Sequence, residues 1–298
     1  GAQGRTFESF VRSTGRAEAI WYPFTDKPWL KVWSLAPEKP VSSREVHGPY
    51  NYPFSDNVPE PITDLLGQLT VGNTAIAPAF GQTYYGVTVA GLAATASSDI
   101  WGWSKDLQFY IKATTLRLTE GGGAVLTDRA NIATVIHDFT HWFQERIEHY
   151  RALGQYPLNG PVEIRCCGLD RPEDVLVPSA GSPTLASTRP RPDHPEWDTA
   201  IWLNVLGVPG TPGMFAFYRE MEQWMRQRYN GEDSTFRKGW AFGPDLPYTD
   251  ATIVSQSLPD TYREGVPSED NWDSARAVFN RLDPHRVYSN SFIDTLLP

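Results

Sequence analysis

The sequence predicts an α+β fold in which a large mixed or antiparallel sheet is covered by helices. Strand patterns occur as hairpins and as single strands, helix patterns lie between them, and no regular βαβ repetition connects them. The 298 residues include 11 Trp, 13 Tyr and 14 Phe, and 40% of the chain is hydrophobic. This composition suffices for a substantial core and excludes a largely disordered chain.

The N-terminal region predicts a short helix followed by a hairpin. Thr6 can cap the helix, and Gly15 can end it in a left-handed conformation. Residues 17–24 and 29–35 are rich in aromatic and β-branched side chains, and a turn-forming Thr-Asp-Lys-Pro sequence separates them. Two such runs around a short turn are typical of a hairpin.

The segment 76–96 predicts a helix that is rich in small residues. It contains a proline, a glutamine and too few large aliphatic residues for a membrane span of ~20 residues. Gly81, Gly86 and Gly91 each lower helix stability by ~1 kcal/mol relative to alanine. We therefore expect a comparatively mobile helix close to a ligand cavity.

Three consecutive glycines, Gly121 to Gly123, predict the turn of a second hairpin with strands at 107–119 and 124–127. The glycines lack the following Lys-Ser/Thr sequence of a phosphate-binding P-loop. The remaining predicted elements are a helix at 128–154, a strand at 161–169, a proline-rich loop at 179–197, a strand at 199–206, helices at 211–229 and 272–282, and an extended tail.

The composition also limits the function. The net charge is −9 and the isoelectric point is about 5.2, so the protein is not expected to bind nucleic acid phosphates. Cys166 and Cys167 are adjacent in a predicted strand, where neighbouring side chains point to opposite faces, and we expect two free thiols. The sequence begins with Gly rather than Met and no signal-peptide pattern follows, so its start is expected to be a cut end.

Glu163 and Arg165 lie two residues apart in the predicted strand 161–169. Their side chains therefore share one face, with Cα atoms ~6.5 Å apart. One interpretation, which base rates favour, is a structural ion pair at an edge of the sheet. The other is a functional pair, in which the guanidinium meets a developing negative charge and the carboxylate holds or exchanges protons.

Two further polar residues lie within apolar strand patterns. Asn204 is in the middle of the strand 199–206, and a buried amide there must either connect loops or face a ligand. Glu18 shares one face of the first hairpin with Ile20 and Tyr22. It is either an edge carboxylate or a site residue.

His137 and His141 have the spacing of the zinc-binding histidines of metallopeptidases. Helix periodicity, however, places both on the solvent side with Glu145, and the shorter Asp138 stands where the catalytic glutamate of that motif would be. We therefore expect a solvated helix face and no native metal site. A zinc hydrolase is the competing hypothesis.

Three blocks of sequence carry a family resemblance. They are GPVEIRCCGLD at 160–170, TRPRPDHPEWDTAIWLNVLGVPGTPGMFAFYREMEQWM at 188–225 and LDPHRVYSNSFIDTLLP at 282–298. The sequence AEAIWYPFTDKPWLKVW at 17–33 supports them. Together they resemble the covalent-flavin, or type II, cholesterol oxidases of the vanillyl-alcohol oxidase superfamily.

The resemblance implies a substrate-binding cap domain. Residues 1–270 would bind the sterol, and residues 271–298 would return to a flavin-binding domain that this sequence lacks. That domain would supply most of the FAD site, with Asn290 as a cofactor contact from this chain. Arg165 would match an arginine near the flavin and the substrate hydroxyl, and Glu163 its partner at the gate of an oxygen channel.

The resemblance also implies a reaction. A 3β-hydroxysteroid would be oxidised at C3 and isomerised to the 4-en-3-one, while dioxygen is reduced to hydrogen peroxide. Glu18 would match the carboxylate that transfers protons, and Asn204 the polar residue on the neighbouring strand. The sterol, dioxygen and the flavin domain would be the partners, with at most peripheral membrane contact, and the protein would be extracellular. An oxidase of another bulky alcohol and a sterol or lipid carrier without catalysis are the alternatives.

Overall fold

A computed structural model of the chain describes residues 5–53, 58–108, 117–186, 188–239 and 249–297. The strands in these ranges are β1 (Arg16–Trp21), β2 (Trp29–Trp33), β3 (Arg44–Glu45), β4 (Ile100–Trp101), β5 (Thr119–Thr127), β6 (Val162–Gly168), β7 (Thr199–Gly207) and β8 (Ser234–Lys238). The α-helices are α1 (Phe7–Thr14), α2 (Glu60–Thr70), α3 (Ala77–Ala94), α4 (Ser104–Leu107), α5 (Ile132–Ala152), α6 (Met214–Arg228), α7 (Leu258–Arg263), α8 (Trp272–Leu282) and α9 (Ser291–Leu296).

One six-stranded sheet organises the fold. Its strand order is β2-β1-β6-β7-β5-β8, and every neighbouring pair is antiparallel. β3 and β4 form a separate short parallel pair. Helices pack on both faces of the large sheet, which confirms the α+β prediction in its antiparallel form.

Local sequence explains the first elements as predicted. The Ser9 backbone amide donates to Thr6 Oγ1 at 3.1 Å and so caps α1, which ends at Gly15 with a left-handed φ of 78°. β1 and β2 form the predicted hairpin, with Ile20 directly opposite Trp29. The predicted helices at 76–96, 128–154, 211–229 and 272–282 and the strands at 161–169 and 199–206 are also confirmed, with changes of a few residues at their ends.

The predicted turn at Gly121 to Gly123 is wrong, because these glycines lie inside β5. A Cβ atom on Gly121 would lie 2.6 Å from the Tyr218 ring, and one on Gly122 would overlap the Leu203 carbonyl oxygen. The glycines therefore allow a ring and a neighbouring strand to approach closely, rather than a reversal of the chain. Most of the strand predicted before them, residues 109–116, lies outside the described residues.

The main core lies between one face of the sheet and the helices α5 and α6. The apolar residues along one side of α5 are buried here. Buried members of this core include Val125, Phe139, Phe143, Val162, Ile164, Ile201, Leu203, Phe217 and Met221. The polar residues that alternate with these strand positions must therefore point to the opposite face.

The opposite face of the sheet is covered towards its two ends. Near the hairpin, α2 and α3 contribute Ile62, Phe80 and Tyr84 to a cluster with Tyr22 and Trp29. Near the other end, a second cluster contains Leu126, Leu169, Ala200 and Trp197. The predicted mobility of α3 stays a prediction.

The C-terminal tail is not extended, because it contains α9. Leu296 and Leu297 are buried in a cluster with residues of α7 and α8, whereas Val287 and Tyr288 are exposed. The end of the tail is therefore packed against its own chain, where α7, α8 and α9 share one apolar cluster.

Two expectations from the composition are also addressed by the structure. Cys166 and Cys167 are both free thiols, and burial raises the pKa of Cys166 to about 12. In the described part of the chain, no helix combines the length and the apolar character that crossing a membrane requires.

We expect Gly122→Ala to lower the free energy of unfolding by about 3 kcal/mol. The added Cβ would overlap the Leu203 carbonyl oxygen, and Gly122 has a φ of 137°. The control is Gly86→Ala on the exposed side of α3, where a Cβ meets nothing within 4 Å. It should raise stability by up to ~1 kcal/mol. Urea unfolding followed by tryptophan fluorescence measures both, and a Gly122→Ala protein as stable as the control would contradict the close approach of β5 and β7.

Candidate active site

The strand register brings four predicted site residues together on the sheet face opposite α5 and α6. Glu18 of β1 is directly opposite Arg165 of β6, and Glu163 is directly opposite Asn204 of β7. On its other side, Glu18 is opposite Lys31 of β2. Directly opposed residues of antiparallel strands share a face. These five side chains therefore form a continuous polar row across four strands.

Arg165 is the centre of the polar row. Its Nη2 donates to Glu163 Oε2 at 2.5 Å and lies 2.6 Å from Glu18 Oε1. Burial lowers the pKa of Arg165, but the charges of Glu163 and Glu18 outweigh this effect and raise it overall. The Arg165 side chain is 42% exposed and that of Glu18 only 6%. Two carboxylates thus fix a permanent positive charge that remains accessible to a ligand.

Lys31 is a member of the row that sequence reasoning missed. Its Nζ lies 2.5 Å from Glu18 Oε2, so Glu18 bridges two cations. The same ammonium lies 5.4 Å from the ring centroids of Trp33 and Tyr52. The predicted hairpin did not reveal this contact, because strands at 17–24 and 29–35 would pair residue 24 with residue 29. The observed register instead places residue 20 opposite residue 29, and therefore residue 31 opposite residue 18.

Glu120 is a second residue that sequence reasoning missed. It lies on β5, one residue beyond the end of the strand that was predicted at 107–119. Asn204 Nδ2 donates to Glu120 Oε1, whereas Asn204 Oδ1 is buried and has no hydrogen-bond partner among the described residues. Burial, and then the nearby charge of Glu163, raise the pKa of Glu120.

Aromatic side chains border the polar row. Tyr22 stacks on Tyr84 with ring centroids 4.9 Å apart, and Trp29 meets Tyr52 edge-on at 5.8 Å. Burial raises the pKa of Tyr22 and of Tyr52 well above the ordinary value, so both phenols are neutral. On β7, Trp202 is directly opposite Arg165. Such surroundings suit a flat apolar ligand that carries one polar group.

Asn290 is the one predicted site residue that is not part of this arrangement. It is exposed and caps α9, where its Oδ1 accepts from the Ile293 backbone amide at 2.9 Å. This contact gives the side chain a structural role at a helix terminus. Its assignment to the cofactor site stays a prediction.

The histidine pair lies on the solvent side of α5, as its periodicity predicts. The side chains of His137 and His141 are 77% and 64% exposed, and their rings stack with centroids 6.0 Å apart. Within the described residues, no three His, Cys, Asp or Glu side chains are grouped so that they could hold a metal ion.

A cleft of about 700 Å³ lies away from the polar row, between the loops 168–174 and 190–198. Its walls include Arg129, Arg171 and Asp198, and none of the residues of the row. We assign the site to the row and not to this cleft, because the row combines a shared sheet face, a fixed accessible charge and a buried acceptor that has no partner in the described part of the chain.

The whole sequence, residues 1–298, matches the family model described as "Cholesterol oxidase, substrate-binding". The chain belongs to this family. The fold expected of a substrate-binding cap domain is thereby confirmed, together with the family that the three sequence blocks resemble. Comparison with curated proteins gave no match.

Solved structures of cholesterol oxidases share the fold of this substrate-binding domain. A cholesterol oxidase from B. sterolicum is 70% identical with a TM-score of 0.94, and a histidine-to-alanine variant from Brevibacterium sterolicum is 69% identical with a TM-score of 0.93. A solvent-stable cholesterol oxidase is 46% identical with a TM-score of 0.94. Each match covers 100% of this chain and 56% of the other chain. The substrate-binding domain thus spans little more than half the length of these structures.

We expect Arg165→Met to destabilise this substrate-binding domain by about 2 kcal/mol, because Glu18 and Glu163 would lose the cation between them. The effect should stay below that of a fully buried pair, since solvent screens the part of Arg165 that is exposed. Arg151→Met is the matched control, because Arg151 pairs with Glu148 at 2.5 Å with both side chains 51% exposed. It should cost no more than about 0.5 kcal/mol. Equal losses in urea unfolding would show that the row contributes no more than a surface ion pair.

Proposed function

We propose that this chain forms the sterol-binding part of an FAD-dependent 3β-hydroxysteroid oxidase, with cholesterol as its substrate. The observation that carries the proposal is the accessible guanidinium of Arg165, held between Glu18 and Glu163 on a sheet face bordered by aromatic rings. The family of the chain supports it. The reaction requires a positive charge next to the substrate oxygen, and the polar row supplies one.

The surroundings of the row suit a sterol. A tetracyclic sterol offers flat apolar surface and a single hydroxyl, so its binding depends on aromatic and aliphatic walls. The cluster of Tyr22, Trp29, Phe80 and Tyr84 forms such a wall beside the row. The polar row, with Arg165 at its centre, then has only one hydroxyl to orient.

The residues present fit the implied cofactor to the extent that a cap domain can. Arg165 provides an accessible, permanently charged donor on the sheet face. Bound FAD would supply the redox chemistry, namely acceptance of hydride from C3 and transfer of the electrons to dioxygen. We propose that a flavin-binding domain holds most of the cofactor, with Arg165 and Asn290 contacting it from this chain.

The side chains of the row then have separate tasks. Arg165 stabilises the negative charge on the steroid oxygen, first as the hydroxyl gives up its proton to a base and hydride leaves C3, and again as the enolate-like intermediate forms. Glu18 holds or transfers a proton between ring carbons, which converts the first ketone to the conjugated 4-en-3-one. Glu163 fixes the guanidinium and, by the family resemblance, forms with it a gate for dioxygen.

Arg165→Ala in the flavin-containing holoenzyme should lower the rate constant of flavin reduction by ~100-fold or more. The dissociation constant of the sterol should change little, because the lost charge acts on the transition state more than on the bound substrate. Arg165→Lys should restore part of the rate, since an ammonium keeps the positive charge but lacks the planar guanidinium group. Anaerobic stopped-flow reduction with cholesterol gives both constants.

Glu163→Gln separates the gate from the chemistry in the same experiment. It should spare flavin reduction and slow reoxidation by dioxygen. Glu145→Gln on the exposed side of α5 is the control and should change neither step. Reduction of the Arg165→Ala enzyme at the wild-type rate would show that the pair is an ordinary structural ion pair. A full-length protein that contains no flavin and does not turn over cholesterol would instead favour a sterol carrier.

A further inference from the structure

Among the residues that the structure describes, the side-chain amide of Asn204 makes a hydrogen bond at one end only. The residue is 8% exposed, and its Nδ2 donates to Glu120 Oε1. Its Oδ1 is also buried, but among the described residues it has no hydrogen-bond donor. Buried amide oxygens are nearly always paired, so this acceptor is available for a group that a ligand brings.

Glu120 determines which end of the Asn204 amide lacks a hydrogen-bond partner among the described residues. An ionised carboxylate contains only acceptors, so it can pair with the Nδ2 hydrogens of Asn204 and not with Oδ1. As long as Glu120 accepts from Nδ2, the amide cannot exchange the positions of Nδ2 and Oδ1, so Oδ1 stays at the end away from the Glu120 carboxylate. The chemistry of Glu120 therefore fixes an acceptor, and not a donor, as the free end of Asn204.

The backbone explains how the two side chains meet. Glu120 is directly opposite Leu206, and so it is the diagonal neighbour of Asn204 on the same face. The residue directly opposite Asn204 is Gly122, which has no side chain. The glycine thus leaves room for the carboxylate of Glu120 beside the amide.

We infer that Glu120 is a positioning residue, which directs the Asn204 carbonyl oxygen to accept a hydrogen bond from the ligand. The inference rests on the proposed function. A steroid alcohol can donate its hydroxyl hydrogen to Asn204 Oδ1 and accept from Arg165, whereas a steroid ketone can only accept. The pair Glu120 and Asn204 therefore makes the site prefer the alcohol substrate to the ketone product.

Two steroids that the enzyme cannot oxidise test this preference. The first is a 3-methyl-3β-hydroxysteroid, which has a hydroxyl but no hydrogen on C3, and the second is the saturated 3-ketone. Their inhibition constants against cholesterol oxidation are measured in the holoenzyme. We expect the wild-type protein to bind the alcohol about 10-fold more tightly than the ketone. A factor of this size corresponds to one hydrogen bond that the alcohol makes and the ketone cannot make. Equal binding, or tighter binding of the ketone, would overturn the inference.

Glu120→Gln tests the positioning role itself. Glutamine can donate as well as accept, so the Asn204 amide is free to turn and the alcohol-to-ketone preference should fall about 10-fold. A merely structural role would weaken the binding of both steroids equally. The added methyl group is present in every measurement with the alcohol. Its steric effect therefore cancels when the alcohol-to-ketone ratios of the wild-type protein and the variants are compared. Glu145→Gln should keep the wild-type ratio.

A Glu120→Gln protein that binds both steroids with an unchanged ratio would overturn the inference and leave the proposed function intact. A wild-type holoenzyme that binds neither steroid would contradict the proposed function and the inference with it. If Glu120→Gln does not fold, Asn204→Leu takes its place, because it removes the amide at similar volume. It should abolish the same preference, and an unchanged ratio in that variant would also overturn the inference.

Discussion

The contact of one guanidinium with two carboxylates gives the sheet face its chemistry. Glu18 reaches Arg165 from one strand and Glu163 from within its own strand, at 2.6 and 2.5 Å. The geometry depends on the register of β1 against β6, since a shift by one residue would move Glu18 to the face that carries the core. A correct hairpin, a correct central strand and their antiparallel pairing are thus all needed before the charge is in place.

The two faces of the sheet divide stability from function. α5 and α6 bury the apolar residues of one face in the main core, which leaves the alternate positions of the same strands for polar side chains. The other face has apolar cover near its ends, and the polar row lies on that face with Arg165 partly accessible. This division explains how charged residues can lie in the middle of a sheet. They are paired with one another instead of being isolated in an apolar core.

Sequence reasoning found what is local and missed what depends on distant strands. The shared face of Glu163 and Arg165 follows from strand periodicity alone. The contacts of Lys31 and Glu120 depend on the neighbouring strands that pair with theirs, which no local pattern specifies. The turn predicted at the glycines of β5 was wrong for the same reason. Glycine is required there by the Tyr218 ring and the backbone of β7, and not by the conformation of a turn. The packing of α9 likewise depends on helices outside its own segment.

Glu18 and Arg165 act as one unit across two strands. A double-mutant cycle on the free energy of unfolding measures their coupling, with Glu18→Gln, Arg165→Met and the two together. Because the side chains are in contact, the effects of the single variants should not add, and a coupling free energy of at least about 1 kcal/mol is expected. Strict additivity would mean that the two charges do not stabilise each other, and would contradict the account of the site.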